Sequence, residues 1–180
     1  MAMTQLMTVK DLEQLPEDGY RYELLQGELV RMPPPGFRHG KRAIWIGKHF
    51  LEYALVAGGE VTTDSGFILH GEPDTVLGPD IAYVRAEHVP PEAEQDRYLH
   101  LAPDVVVEIV SPSDRPGYLR DKVAAYREAG VRLVVLADAF KRRLFVHSWD
   151  GDVIELADDD TFDGGDVMPG FRLPVSEFFR

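Results

Sequence analysis

No cysteine occurs in these 180 residues, which excludes disulfide frameworks and thiolate metal sites and fits a reducing compartment. Any bound metal must be held by oxygen or imidazole. Positive charge is scarce, because 19 Lys and Arg stand against 31 Asp and Glu and leave a formal charge of −12. That balance argues against non-specific binding to nucleic acid, whose affinity comes largely from Lys and Arg neutralising phosphates. Long apolar runs are missing as well. No window approaches the ~20 apolar residues that a membrane helix needs, and the start, MAMTQLMTVKDLEQLPEDG, has no basic segment leading into such a run. The chain therefore reads as soluble and cytoplasmic, with no membrane partner. No repeat, linker or low-complexity segment divides it, so a single domain over 1–180 is expected.

Apolar periodicity supplies the elements. A short helix from Thr8 to Leu15, capped by Thr8, precedes two strands around Gln26-Gly27, and Pro33 to Pro35 close this hairpin. From Arg38 to Ala57, residues Ile44, Gly47, Phe50, Leu51, Ala54 and Leu55 recur at helical spacing, with Gly58-Gly59 as the stop. EVTTDSGFIL and TVLGPDIAYV read as strands joined by Gly71 to Asp74, and a polar loop leads to the strand PDVVVEIV. GYLRDKVAAYREAG is a helix, VRLVVLAD a buried strand, and RRLFVHSW with DVIEL a hairpin about Asp150-Gly151. The tail starts as an acidic loop and ends in an aromatic segment expected to pack on the core. The order predicts an α/β or α+β domain, a central mixed β-sheet flanked by helices.

The stretches LGPDIAYV and LAPDVVVEIV both set a Pro-Asp pair at the mouth of an apolar strand. Proline cannot donate to a ladder, so it belongs at such a beginning. The glutamate inside the second strand is costlier. Alternation puts Asp104, Val106, Glu108 and Val110 on one face and Val105, Val107 and Ile109 on the other. Glu108 therefore sits among valines, where a carboxylate must be neutralised, hydrogen-bonded, paired or metal-bound. The plain alternative is a salt bridge to an arginine or the capping of a loop. On the following helix Leu119, Val123 and Tyr126 form an apolar stripe, and Lys122 falls in the same arc, its ammonium aimed at the sheet unless it snorkels to water. Carboxylates near the ends of neighbouring strands, with a lysine, can bind a hard divalent cation and a phosphate, the set that phosphodiester hydrolysis needs. Ser111 and Ser113 are set aside as nucleophiles, since no histidine is patterned to activate them. His70, His88, His100 and His147 show no metal-ligand spacing.

YELLQGELVRMPPPGFRHG, then GPDIAYV, APDVVVEIVSPS and DKVAAYREAGV, in this order over Tyr20 to Trp149, resemble the Uma2 family, known also as DUF820. That family is a branch of the PD-(D/E)XK nucleases with a restriction endonuclease-like fold. The resemblance implies a magnesium- or manganese-dependent endonuclease acting on DNA, with Asp80 and Glu108 as metal ligands. The signature lysine should stand two residues after Glu108, but Val110 is there, and the resemblance implies that Lys122 replaces it. Glu28 is the third acid, with Glu23 in reserve. His39 matches the family's RH and would contact metal-bound water or phosphate, although a capping or surface histidine fits equally. Asp104 is a strand opener or an outer ligand. The resemblance also implies a homodimer.

Two other classes compete. A nuclease fold without catalysis would serve as a binding or assembly module, a reading that the acidic charge favours. Clustering of Arg38, Lys41, Arg42, Arg115, Arg120, Lys141, Arg142 and Arg143 around the site would favour the nuclease, and an acidic rim the module. Paired carboxylates also serve glycoside hydrolysis, but that scheme leaves Lys122 without a role.

Overall fold

The computed structural model describes residues 6–112 and 114–180, so Ser113 lies outside the described residues. Helix α1 (Val9–Glu13) is short, and a reciprocal cap lets it form. The Thr8 hydroxyl accepts from the Asp11 N–H, and the Asp11 carboxylate accepts from the Thr8 N–H. Strands β1 (Arg21–Leu25) and β2 (Glu28–Met32) follow, joined by Gln26 and Gly27 at φ of 52° and 77°, the two positive angles that a tight hairpin turn requires. Helix α2 (Phe37–Ala57) ends at Gly58.

The two long strands expected next are each divided. β3 (Glu60–Thr62) gives way to β4 (Phe67–His70), and β5 (Thr75–Leu77) to β6 (Ile81–Val84). Asp64, at φ 53°, turns the chain out of the first ribbon, and Pro79, which has no N–H, interrupts the second. The breaks lie together, with the Asp64 N–H donating to the Pro79 carbonyl at 3.0 Å. Here the chain leaves one sheet for another and then returns.

The remainder is β7 (Val105–Ile109), α3 (Pro116–Glu128), β8 (Leu133–Asp138), β9 (Arg143–Ser148), β10 (Val153–Ala157), β11 (Thr161–Asp163) and β12 (Arg172–Pro174). The larger sheet runs β10-β9-β8-β7-β6-β3 and is antiparallel except where β7 and β8 pair parallel. A parallel pair needs a crossover, which α3 provides. The smaller sheet, β2-β1-β5-β4, is antiparallel. The acidic tail is more ordered than expected, since β11 and β12 form a third, two-stranded sheet within it.

β7 is buried along its whole length because both faces are covered. Val105, Val107 and Ile109 pack with Ile46, Phe50 and Ala54 of α2 and with the tail residues Phe162, Phe171, Phe178 and Phe179. The other face carries Val106 and Val134 against Val123, Ala125 and Tyr126 of α3. The mixed sheet flanked by helices is thus the observed architecture, and the aromatic tail belongs to its core.

Gly59, between α2 and β3, has φ of +98°, and a Cβ there would clash with the Val84 carbonyl oxygen. Gly59→Ala should cost more than ~1 kcal/mol of stability, read as a lowered urea midpoint with unchanged slope.

Candidate active site

The breaks in the two ribbons open a cleft of about 920 Å³ between the sheets and α3. Glu23, Asp80, Glu108 and Lys122 line it, yet their exposures are only 3%, 6%, 7% and 5%. Four ionisable groups so buried must satisfy one another. Lys122 Nζ lies 2.7 Å from Glu108 Oε1 and 3.1 Å from Glu23 Oε1. Tyr126 donates to the same Glu108 oxygen at 2.7 Å, and Tyr118 donates to Glu23 Oε2. Glu23 Oε1 also accepts the Gly78 N–H at 2.9 Å, which serves the backbone where β5 stops.

Asp80 performs a similar service for the larger sheet. The register Ile81↔Val107 continues to Pro79 opposite Ile109, but the Pro79 carbonyl is taken by Asp64. Asp80 Oδ2 accepts the Ile109 N–H instead, at 2.7 Å, while Oδ1 stands 2.9 Å from His39 Nε2 on the first turn of α2. Arg21 pairs with Asp64 and lies 3.9 Å from Asp80 Oδ1.

Electrostatics follow from this burial. Burial drives the Glu108 carboxyl up to about 7, against the pull of Lys122 and with help from Asp80 and Glu23. Burial alone would lower the Lys122 ammonium, but Glu108 and then Glu23 outweigh it and keep it protonated, above its ordinary value. The Asp80 hydrogen bond raises His39 above 6.5, against a smaller opposing effect of burial.

The residues singled out from the sequence are not all brought together. Asp80, Glu108, Lys122 and His39 line the cleft, but Glu28 does not. Glu28 pairs with Leu25 at the turn end of the hairpin and is exposed, whereas Glu23, two residues further from that turn, is buried at the lysine. Of the two glutamates, Glu23 is thus the one that reaches the lysine. Asp104 stands apart from this group. β6 and β7 run antiparallel, so their two Pro-Asp pairs open at opposite ends, and Asp104 stands four residues, ~13 Å, from Glu108. There it accepts the Arg85 N–H at 2.9 Å and contacts His88 at 3.0 Å. Sequence reasoning missed Tyr118 and took Tyr126 only as part of an apolar stripe, although they lie four residues either side of Lys122 and a buried phenol needs a hydrogen-bond partner. The cleft lining is acidic. Glu13, Glu17, Glu60, Asp64, Asp96 and Asp114 join the site carboxylates there, Arg21 and Arg97 are its arginines, and none of the eight basic residues named above lines it.

Asp80 and Glu108 are the right donors in kind for a hard cation. Among the described residues no three His, Asp or Glu side chains are grouped ready to hold one. Such a donor set suits magnesium, which takes one or two carboxylates and completes its shell with water and phosphate oxygens.

The sequence pattern of the Uma2 family, described as "Putative restriction endonuclease", matches residues 9–176. No curated protein matches the chain. Among solved structures, "a putative nuclease belonging to DUF820 from Anabaena variabilis ATCC 29413" superposes with a TM-score of 0.84, over 96% of this chain and 97% of that one. The sequences are 18% identical, so the likeness speaks for the fold.

Two predictions test the network. Lys122→Met should cost ~3–5 kcal/mol in urea unfolding, because it strands two buried carboxylates. His39 has a raised folded value, so its pair with Asp80 adds stability that is complete below the ordinary 6.5 and is lost as the pH rises through the folded value. His39→Gln should accordingly be less stable than wild type at acidic pH, with a gap that narrows in alkaline buffer.

Proposed function

The chain belongs to the Uma2 family, and from that premise we propose that it is a divalent-metal-dependent endonuclease that hydrolyses phosphodiester bonds in DNA, acting as a homodimer. The observation that carries this reading is the buried ammonium of Lys122 between Glu23 and Glu108, in a cleft that Asp80 also lines. An ion pair needed only for stability has no reason to lie beside two further carboxyl groups on an open cleft, where each raises the other's cost of ionisation.

Asp80 and Glu108 would hold magnesium or manganese. When bound, the ion supplies Lewis-acid polarisation of a phosphoryl oxygen and activation of water. The chain's own groups do the rest. Lys122, kept protonated, stabilises charge that develops on the phosphoryl group. Glu23 and Glu108 fix the lysine, Tyr126 orients Glu108, Tyr118 orients Glu23, and His39 holds one oxygen of Asp80.

The acidic lining favours a second reading, a nuclease fold that binds or assembles without cutting, since DNA is repelled unless bound cations or a partner supply positive charge. Cleavage of plasmid DNA in magnesium or manganese separates the two. The endonuclease reading expects nicking by wild type and a loss of roughly 10²–10³-fold in Asp80→Asn and Glu108→Gln, the scale of removing one group that stabilises the transition state. Variants that cut as fast as wild type would overturn the residue assignment. A wild type that never cuts, with either ion, would favour the module.

A further inference from the structure

Helix α2 turns Ile46, Phe50 and Ala54 to the core and His39 to Asp80. A second stripe of the helix, beside Lys41, Lys48 and Glu52, is apolar and exposed. Phe37, Ile44, Leu51 and Leu55 are exposed to 89%, 76%, 48% and 78%. Their spacings of seven, seven and four put them on one stripe, and Gly40 and Gly47 fill the intervening positions of a heptad seam. A glycine within a helix is destabilising relative to alanine, so it calls for a reason. Among the described residues neither glycine has one: both have ordinary negative φ, and a Cβ on either would meet no atom within 4 Å. Missing side chains beside exposed large ones suit a body that approaches the helix backbone closely from outside.

Charge says what that body is. Arg38, Lys41 and Arg42 crowd the N-terminal part of α2, where the helix dipole disfavours positive charge, and the last turn carries no basic residue. A second α2 running antiparallel corrects both faults at once, since each basic end meets a C-terminal end. We propose that this face of α2 is an interface between two copies of the chain, related by a two-fold axis beside Gly47. That symmetry sets Ile44 against the partner's Leu51, Leu55 over the partner's Gly40, and Lys41 near the partner's Glu52. Lys48, close to the axis, is neutralised by its own Glu52 at 2.8 Å. The contact is isologous, as two-fold interfaces are, and His39 on the inward side keeps each cleft clear of it. It stands whether or not the cleft cuts DNA.

Sedimentation equilibrium of the full chain tests the interface. Wild type should sediment at twice 20.3 kDa, and Ile44→Glu and Gly47→Gln should each weaken the dimer roughly tenfold or more. Both positions face open space, so thermal unfolding of the variants should show a folded chain. A wild type that stays at 20.3 kDa up to roughly 100 µM overturns the proposal, as does a dimer that both substitutions leave intact. A monomer that nicks DNA would remove the interface and the homodimer and leave only the cleavage chemistry standing.

Discussion

Lys122 donates to Glu23 on β1 and lies 2.7 Å from Glu108 on β7, so a single ammonium ties α3 to both the smaller and the larger sheet. The rest of the cleft depends on this tie. Without it, Glu23 and Glu108 would be buried carboxylates a few residues from chain breaks, and each would have to protonate or draw in water. With it, Glu23 is free to receive the Gly78 N–H, and β5 can end without orphaning its backbone. The cluster thus serves the fold. Glu108 near neutrality and Lys122 held protonated are the result of the same crowding.

The two Pro-Asp pairs show how one local device acquires two uses. At each end of the β6–β7 ribbon, an aspartate after proline accepts the N–H of the first or last residue across from it, Ile109 for Asp80 and Arg85 for Asp104. Locally they are the same construction. They differ in what lies beside them: Asp80 shares its end with Glu108, His39 and the break between sheets, while the Asp104 carboxylate stands beside His88 and the Arg85 backbone. The metal proposal rests on that difference of neighbourhood.

Much of this was legible in the sequence. The valine run around Glu108 marked β7 as central, and helical spacing aimed Lys122 at the sheet. What was illegible depended on pairing between distant segments. Nothing local tells that β6 and β7 run antiparallel, and that fact sets Asp80 beside Glu108 rather than beside Asp104. The choice between Glu23 and Glu28 turns on which end of the β1–β2 hairpin meets β5, again a matter of sheet assembly. The division of two expected strands into four follows from Asp64 and Pro79 meeting each other, a contact across fifteen residues. Tyr118 and Tyr126 are the exception, because their spacing about Lys122 was a local signal.

The claim that Asp80 and Glu108 hold a divalent cation beside a fixed ammonium is tested most directly by calorimetric titration of manganese into wild type and into Glu108→Gln. Saturable binding to wild type that is lost in the variant, with the variant still folded, is the expected result. Equal binding by both, or none by wild type even with uncleavable DNA present, would contradict it.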